Sequence, residues 1–88
     1  LAIEDSGVEI VEIKILPESP TVGKTVRQLS IPQGSKLALV IRKTGKNRLP
    51  TLNTVIRAGD RIIALTTPES EEALGTVLRG GSKKADNS

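Results

Sequence analysis

Eighty-eight residues, with 13 Lys and Arg against 10 Asp and Glu and with no Cys, His or aromatic residue, make one small basic domain, because two folded cores do not fit in that length. The missing Cys and His remove disulfides, thiol chemistry, Cys-based zinc sites and the commonest general base, which excludes most enzyme mechanisms. With no ring to stack on a base and a net charge of only +3, nucleic-acid binding is set aside too.

The core must come from branched aliphatics, of which there are nine Ile, seven Val and ten Leu. Each is worth about 1.5–3 kcal/mol if fully buried, yet a domain this small hides only about 60% of its unfolded surface. Burial against a second copy would help. The longest strongly apolar run, residues 37–41, is far short of the roughly 20 residues that a membrane span needs. Leu1 in place of a start methionine reads as a piece cut from a longer protein.

In chain order, residues 1–6 read as a linker ending at Asp5-Ser6-Gly7. Residues 8–16 alternate as a first strand, with Val11, Ile13 and Ile15 on one face. Val8 and Ile10 break the phase, which predicts a bulge near Ile10 or a strand start covered on both faces. Pro17 and Pro20 end that strand. Val22, Val26 and Leu29 then give the stripe of a short helix over 21–30, too brief to hold unless packed on the sheet.

Residues 36–42, KLALVIR, form a second strand apolar on both parities. A hairpin turn on Gly45 leads back through Arg48, Leu49 and Pro50 as a third. Leu52, Val55 and Ile56 are expected to fold under the sheet as a plug. Gly59 supplies a positive φ and Asp60 binds the turn's own amides, so this pair is a structural turn that starts the most apolar strand, residues 61–66. Thr67-Pro68-Glu69 reads as a helix start, with Ala73, Leu74, Val77 and Leu78 as the apolar face, Gly75 as a weak point and Arg79 at the end. Gly80-Gly81 closes it, and 80–88, including Lys83-Lys84, reads as a disordered tail. The expected class is α+β: a small four-stranded, mainly antiparallel sheet in β-α-β-β-β-α order, with the domain spanning 7–79.

No catalytic or metal site is expected. Asp60 has no acidic neighbour in sequence with which to hold a cation, and Glu9 and Glu12 face opposite sides of a strand. The notable cluster is Arg42, Lys43, Lys46 and Arg48 around the Gly45 turn, which reads either as protection of a hairpin edge or as anion capture.

Five fragments, taken together, resemble the TrkA C-terminal domain, the C-terminal regulator-of-K⁺-conductance (RCK) domain. They are residues 22–26 with Leu29, residues 38–42, Leu49-Pro50, residues 54–56 and residues 58–65, and the likeness runs from about Val8 to Leu78. The resemblance implies a non-catalytic, cytoplasmic regulatory domain that forms a homodimer. It would follow an N-terminal nucleotide-binding RCK domain, or be fused to an inner-membrane potassium transporter, channel or antiporter. No G-x-G-x-x-G is present in this chain. Some members bind cyclic di-AMP at the dimer axis. On that likeness Arg42 would meet a phosphate, Lys43 and Arg48 would add charge, and Ile41, Pro50 and Asn53 would line the adenine pockets. The alternative is a purely structural dimerisation module with no ligand.

Overall fold

The computed structural model describes residues 1–80, so all but the first residue of the tail expected over 80–88 lies outside the described residues. Five strands make one antiparallel sheet: β1 (Ala2–Ile3), β2 (Val8–Lys14), β3 (Lys36–Ile41), β4 (Asn47–Arg48) and β5 (Arg61–Thr66), in the spatial order β1-β2-β5-β3-β4. The α+β class and the closing helix agree with expectation, and the apolar β5 is the central strand. The fifth strand corrects the linker reading of residues 1–6. Asp5 at φ 62 and Gly7 at φ 73 reverse the chain, so that Ala2 lies opposite Glu9 and Ile3 opposite Val8.

Pairing between β2 and β5 is unbroken from Glu9 to Lys14, so there is no bulge near Ile10. The bulge lies in β3 between Leu37 and Leu39, which face Ala64 and Ile63 of β5. One extra residue there breaks the alternation and turns both Leu37 and Val40 inward, which is why this strand reads as apolar on both parities. Val8 and Ile10 are half-buried on the outer face of the sheet, opposite in parity to the buried Ile13.

The inner face carries two pieces. One is helix α1 (Glu71–Arg79), with Leu74 and Leu78 fully buried. Ala73, expected on the buried face, is exposed and Val77 is half-buried. Gly75 is buried because the Arg79 guanidinium folds back over it, so the absence of a side chain leaves room for a neighbour. The Thr67-Pro68 segment forms a turn ahead of the helix rather than its first turn. There the Ser70 N–H donates to the Thr67 carbonyl at 3.0 Å and to its Oγ1 at 3.2 Å.

The helix C-terminus is held from outside. Buried Ser19 and Thr21 donate their hydroxyls to the Leu78 carbonyl at 2.7 and 3.2 Å, satisfying an acceptor that the helix leaves free. Gly80 follows at φ 78, against the Pro20 ring.

The second piece replaces the helix expected over 21–30. Only Val26–Gln28 is helical, a single 3₁₀ turn. Gly23 takes φ 88, and between local turns the backbone bonds across to residues 52–56 rather than continuing as a helix. Gly23 N–H donates to Ile56 O and Ile56 N–H to Lys24 O, each at 2.8 Å. Val26 N–H to Thr54 O and Arg27 N–H to Leu52 O, each at 2.9 Å, continue this irregular ribbon. Of the expected plug only Ile56 is buried; Leu52 and Val55 are exposed, because their backbone is spent on the ribbon and turns them outward.

Candidate functional site

Asp60 is the buried centre around which the cationic end of β3 is arranged. The Gly59-Asp60 turn has φ 88 at Gly59, and two 2.7 Å backbone bonds pin it to Ile15, from Gly59 N–H to Ile15 O and from Ile15 N–H to Asp60 O. Asp60 Oδ2 accepts the Arg57 N–H at 2.8 Å, the turn amide bond expected of it. It also accepts Arg42 NH1 at 2.7 Å, and the two side chains are 1% and 11% exposed. The same NH1 donates to the Val55 carbonyl at 2.9 Å. Arg42 therefore ties together β3, the turn and the ribbon. Arg42 Nε and Asp60 Oδ1 are buried with no hydrogen-bond partner.

The other residues expected to meet a ligand are dispersed. Ile41 is half-buried on the outer sheet face, beside Arg61. The Lys43 stem lies over Gly59, within 3.0–3.3 Å of where a Cβ would stand, so the hairpin rests on the turn. Arg48 is exposed on the edge strand β4. Asn53 accepts Arg27 NH2 at 3.4 Å and gives its N–H to Thr51 Oγ1 at 3.2 Å.

Pro50 alone of that set lines an open groove of about 310 Å³. Its walls are Val26, Ile31, Leu37, Pro50 and Leu52, with Ser35, Lys36 and Thr51 as the polar members. The Ser35 hydroxyl is already bonded to Thr66 Oγ1 at 2.7 Å, leaving the Lys36 ammonium as the cation of the groove, with no ion pair among the described residues. Sequence reasoning missed this groove. Its signal was present in Leu52, an aliphatic in a polar stretch, and in a Val22/Val26/Leu29 stripe too short to bury itself. Exposed Leu49, Leu52 and Val55, at 78%, 54% and 36%, extend the apolar surface along the ribbon beside the groove. Among the described residues no group of three or more acidic side chains could hold a metal ion, and no helix is long and apolar enough to cross a membrane.

Residues 10–79 match the model of the TrkA-C domain family. The Trk system potassium uptake protein TrkA homolog of Archaeoglobus fulgidus is 34% identical over 67 residues, which is 76% of this chain and 15% of that protein. The Trk system potassium uptake protein TrkA of Azorhizobium caulinodans is 34% identical over 75 residues, 85% of this chain and 16% of its own length. The chain thus spans about a sixth of the length of these relatives. A solved structure of an RCK domain with cda superposes with a TM-score of 0.69 at 23% identity, covering 80% of this chain and 97% of that one. At that identity the likeness concerns the fold.

Proposed function

Because this chain belongs to the TrkA-C domain family, we propose that it is the ligand-sensing and dimerising regulatory domain of a potassium transport system. Domains of this family are regulatory and not catalytic. In this reading the domain is cytoplasmic, follows a nucleotide-binding RCK domain, and biases a membrane transporter or channel. Its means is population shift: a ligand that prefers one dimer geometry favours that geometry in the attached parts. The observation that carries the reading is the family match over residues 10–79, supported by two relatives named as potassium uptake proteins.

For the ligand we propose cyclic di-AMP in the groove at a dimer axis. Aliphatic walls can cover a purine face, Lys36 can pair with a phosphate, and the exposed ribbon leucines offer the surface that a second copy would cover. A two-fold ligand with two phosphates suits one cation from each subunit. Arg42, the arginine expected from the likeness, has its NH1 committed to Asp60 and to the Val55 carbonyl.

Sedimentation velocity with cyclic di-AMP tests this, followed both by interference and at a wavelength where the nucleotide absorbs and this Trp- and Tyr-free chain does not. Nucleotide travelling with a dimer, and left behind by Lys36→Ala, supports the groove. Loss with Arg42→Ala alone, in a variant still folded by circular dichroism, moves the phosphate to Arg42. A dimer that never carries nucleotide leaves the structural module, and a monomer overturns both.

A further inference from the structure

Between Glu18 and Glu69 the sequence has nine Lys or Arg and one carboxylate, the buried Asp60. The fold converts that separation along the chain into a separation in space. Register places Lys14, Arg61, Ile41 and Asn47 in one row across the sheet. Beyond that row lie three loops: residues 15–19, the 42–46 hairpin and the 57–60 turn. Backbone bonds between Ile15 and Gly59-Asp60, and the Lys43 stem on Gly59, hold them side by side. Exposed Lys14, Lys43, Lys46 and Arg57 project from this end with Leu16, which is 45% exposed, against a single exposed carboxylate, Glu18. The opposite end of the strands carries Glu4, Asp5, Glu9, Glu69, Glu71 and Glu72, with Lys36 the one cationic side chain among the described residues there, beside the Leu1 ammonium.

We propose that the loop end bearing Lys14, Lys43, Lys46 and Arg57 docks on the headgroup surface of an anionic bilayer, with Leu16 against the interface and the acidic end turned away. Clustered lysines and arginines beside an exposed aliphatic are attracted to such a surface without a shaped cleft, and the carboxylates at the far end orient the domain by repulsion. A second copy fits this end less well. It would present its acidic end and leave its own basic end open, a contact that propagates and does not close. The proposal stands apart from the nucleotide reading, since none of its charges lines the groove proposed for the nucleotide, although Lys43 and Lys46 belong to the cationic cluster of the hairpin.

The test is co-sedimentation with sucrose-loaded vesicles of phosphatidylcholine, with and without phosphatidylglycerol, across a salt series. Binding should need the anionic lipid and fall with salt, and Lys46→Glu with Arg57→Glu should weaken it by at least about tenfold. Lys24→Glu with Arg27→Glu, an equal change of charge on the ribbon, should weaken it much less. Equal partitioning into both vesicle types overturns the proposal. So does an equal loss from both double variants, which would mean that net charge alone drives binding. Salt-sensitive self-association without vesicles, abolished by the first double variant, would overturn it in favour of a second copy. The first double variant should keep the sedimentation behaviour of the parent with cyclic di-AMP, which separates this result from the fate of the nucleotide site.

Discussion

The helix side and the ribbon side of the inner layer use the same aliphatic residues to different ends. On the helix side Leu74 and Leu78 are fully buried and the Leu78 carbonyl is capped by two hydroxyls from the 17–21 loop. On the ribbon side the backbone is well bonded, yet Leu52 and Val55 stay 54% and 36% exposed, and only Ile56 reaches the core. One side is closed by its own chain. The other is held in place by its backbone and by one buried ion pair, with its apolar side chains left available. Stability should therefore be concentrated in the helix and the ion pair, and association in the ribbon.

Asp60→Ala attacks the anchor of the ribbon and should have the largest effect. It strands Arg42 at 11% exposure and frees the Arg57 amide, an expected loss of about 3–5 kcal/mol by urea unfolding followed in the far ultraviolet. Leu78→Ala should lose about 2–5 kcal/mol, whereas Leu52→Ala should stay within about 0.5 kcal/mol in monomer stability and weaken the proposed dimer in sedimentation. If Leu52→Ala unfolds the domain as Leu78→Ala does, the contrast between the two sides fails. Gly80→Ala combines a left-handed φ of 78 with a Cβ placed inside the Pro20 ring. It should destabilise by about 1–3 kcal/mol and lower the helix signal without touching the ribbon.

The smallest effect is a pH slope at the helix start. The Glu9 carboxyl is raised above its ordinary 4.5 by a hydrogen bond with Glu71, then by partial desolvation and by the charge of Glu71. A raised folded-state value means that the folded protein takes up the proton first. Stability from this pair should rise as pH falls through the raised value toward 4.5 and be lost as pH climbs back. Thermal melts over that window should show the slope, and Glu71→Gln should flatten it.

Much of this was legible in the sequence because local chemistry and tertiary packing agreed. Alternation in β2, the Gly59-Asp60 turn and the Leu74/Leu78 stripe each demand one environment, and each found it. The failures share a cause. Residues 21–30 carry a helical stripe, but the Gly23, Val26 and Arg27 amides bond to residues 52–56, about thirty positions away, and no local pattern announces such a ribbon. Of the two readings of the phase break at Ile10, the bulge is not found, while Val8 and Ile10 are half-buried on one face and Glu9 and Val11 on the other; the bulge in β3 goes unread because a bulge is a property of a pair and the sequence shows one strand at a time. Arg42 was legible as important but not as buried, since its partner lies 18 residues on, in a turn already explained by its glycine. The groove was invisible for the same reason as the ribbon that walls it.

The bulge in β3 also bears on how this family's length can vary. Leu37 faces Ala64 and Leu39 faces Ile63, consecutive residues of β5, so Ala38 is the one position of the strand with no partner across the ladder. Excising it would join two stretches that are already in step, healing the ladder while every other side chain keeps its face. Removing a neighbour such as Leu39 would instead leave Ala38 to take its place opposite Ile63, with a methyl where an isobutyl group now packs on the outer face. A domain lacking residue 38 should fold, with a flatter sheet and a measurably smaller twist between β3 and β5.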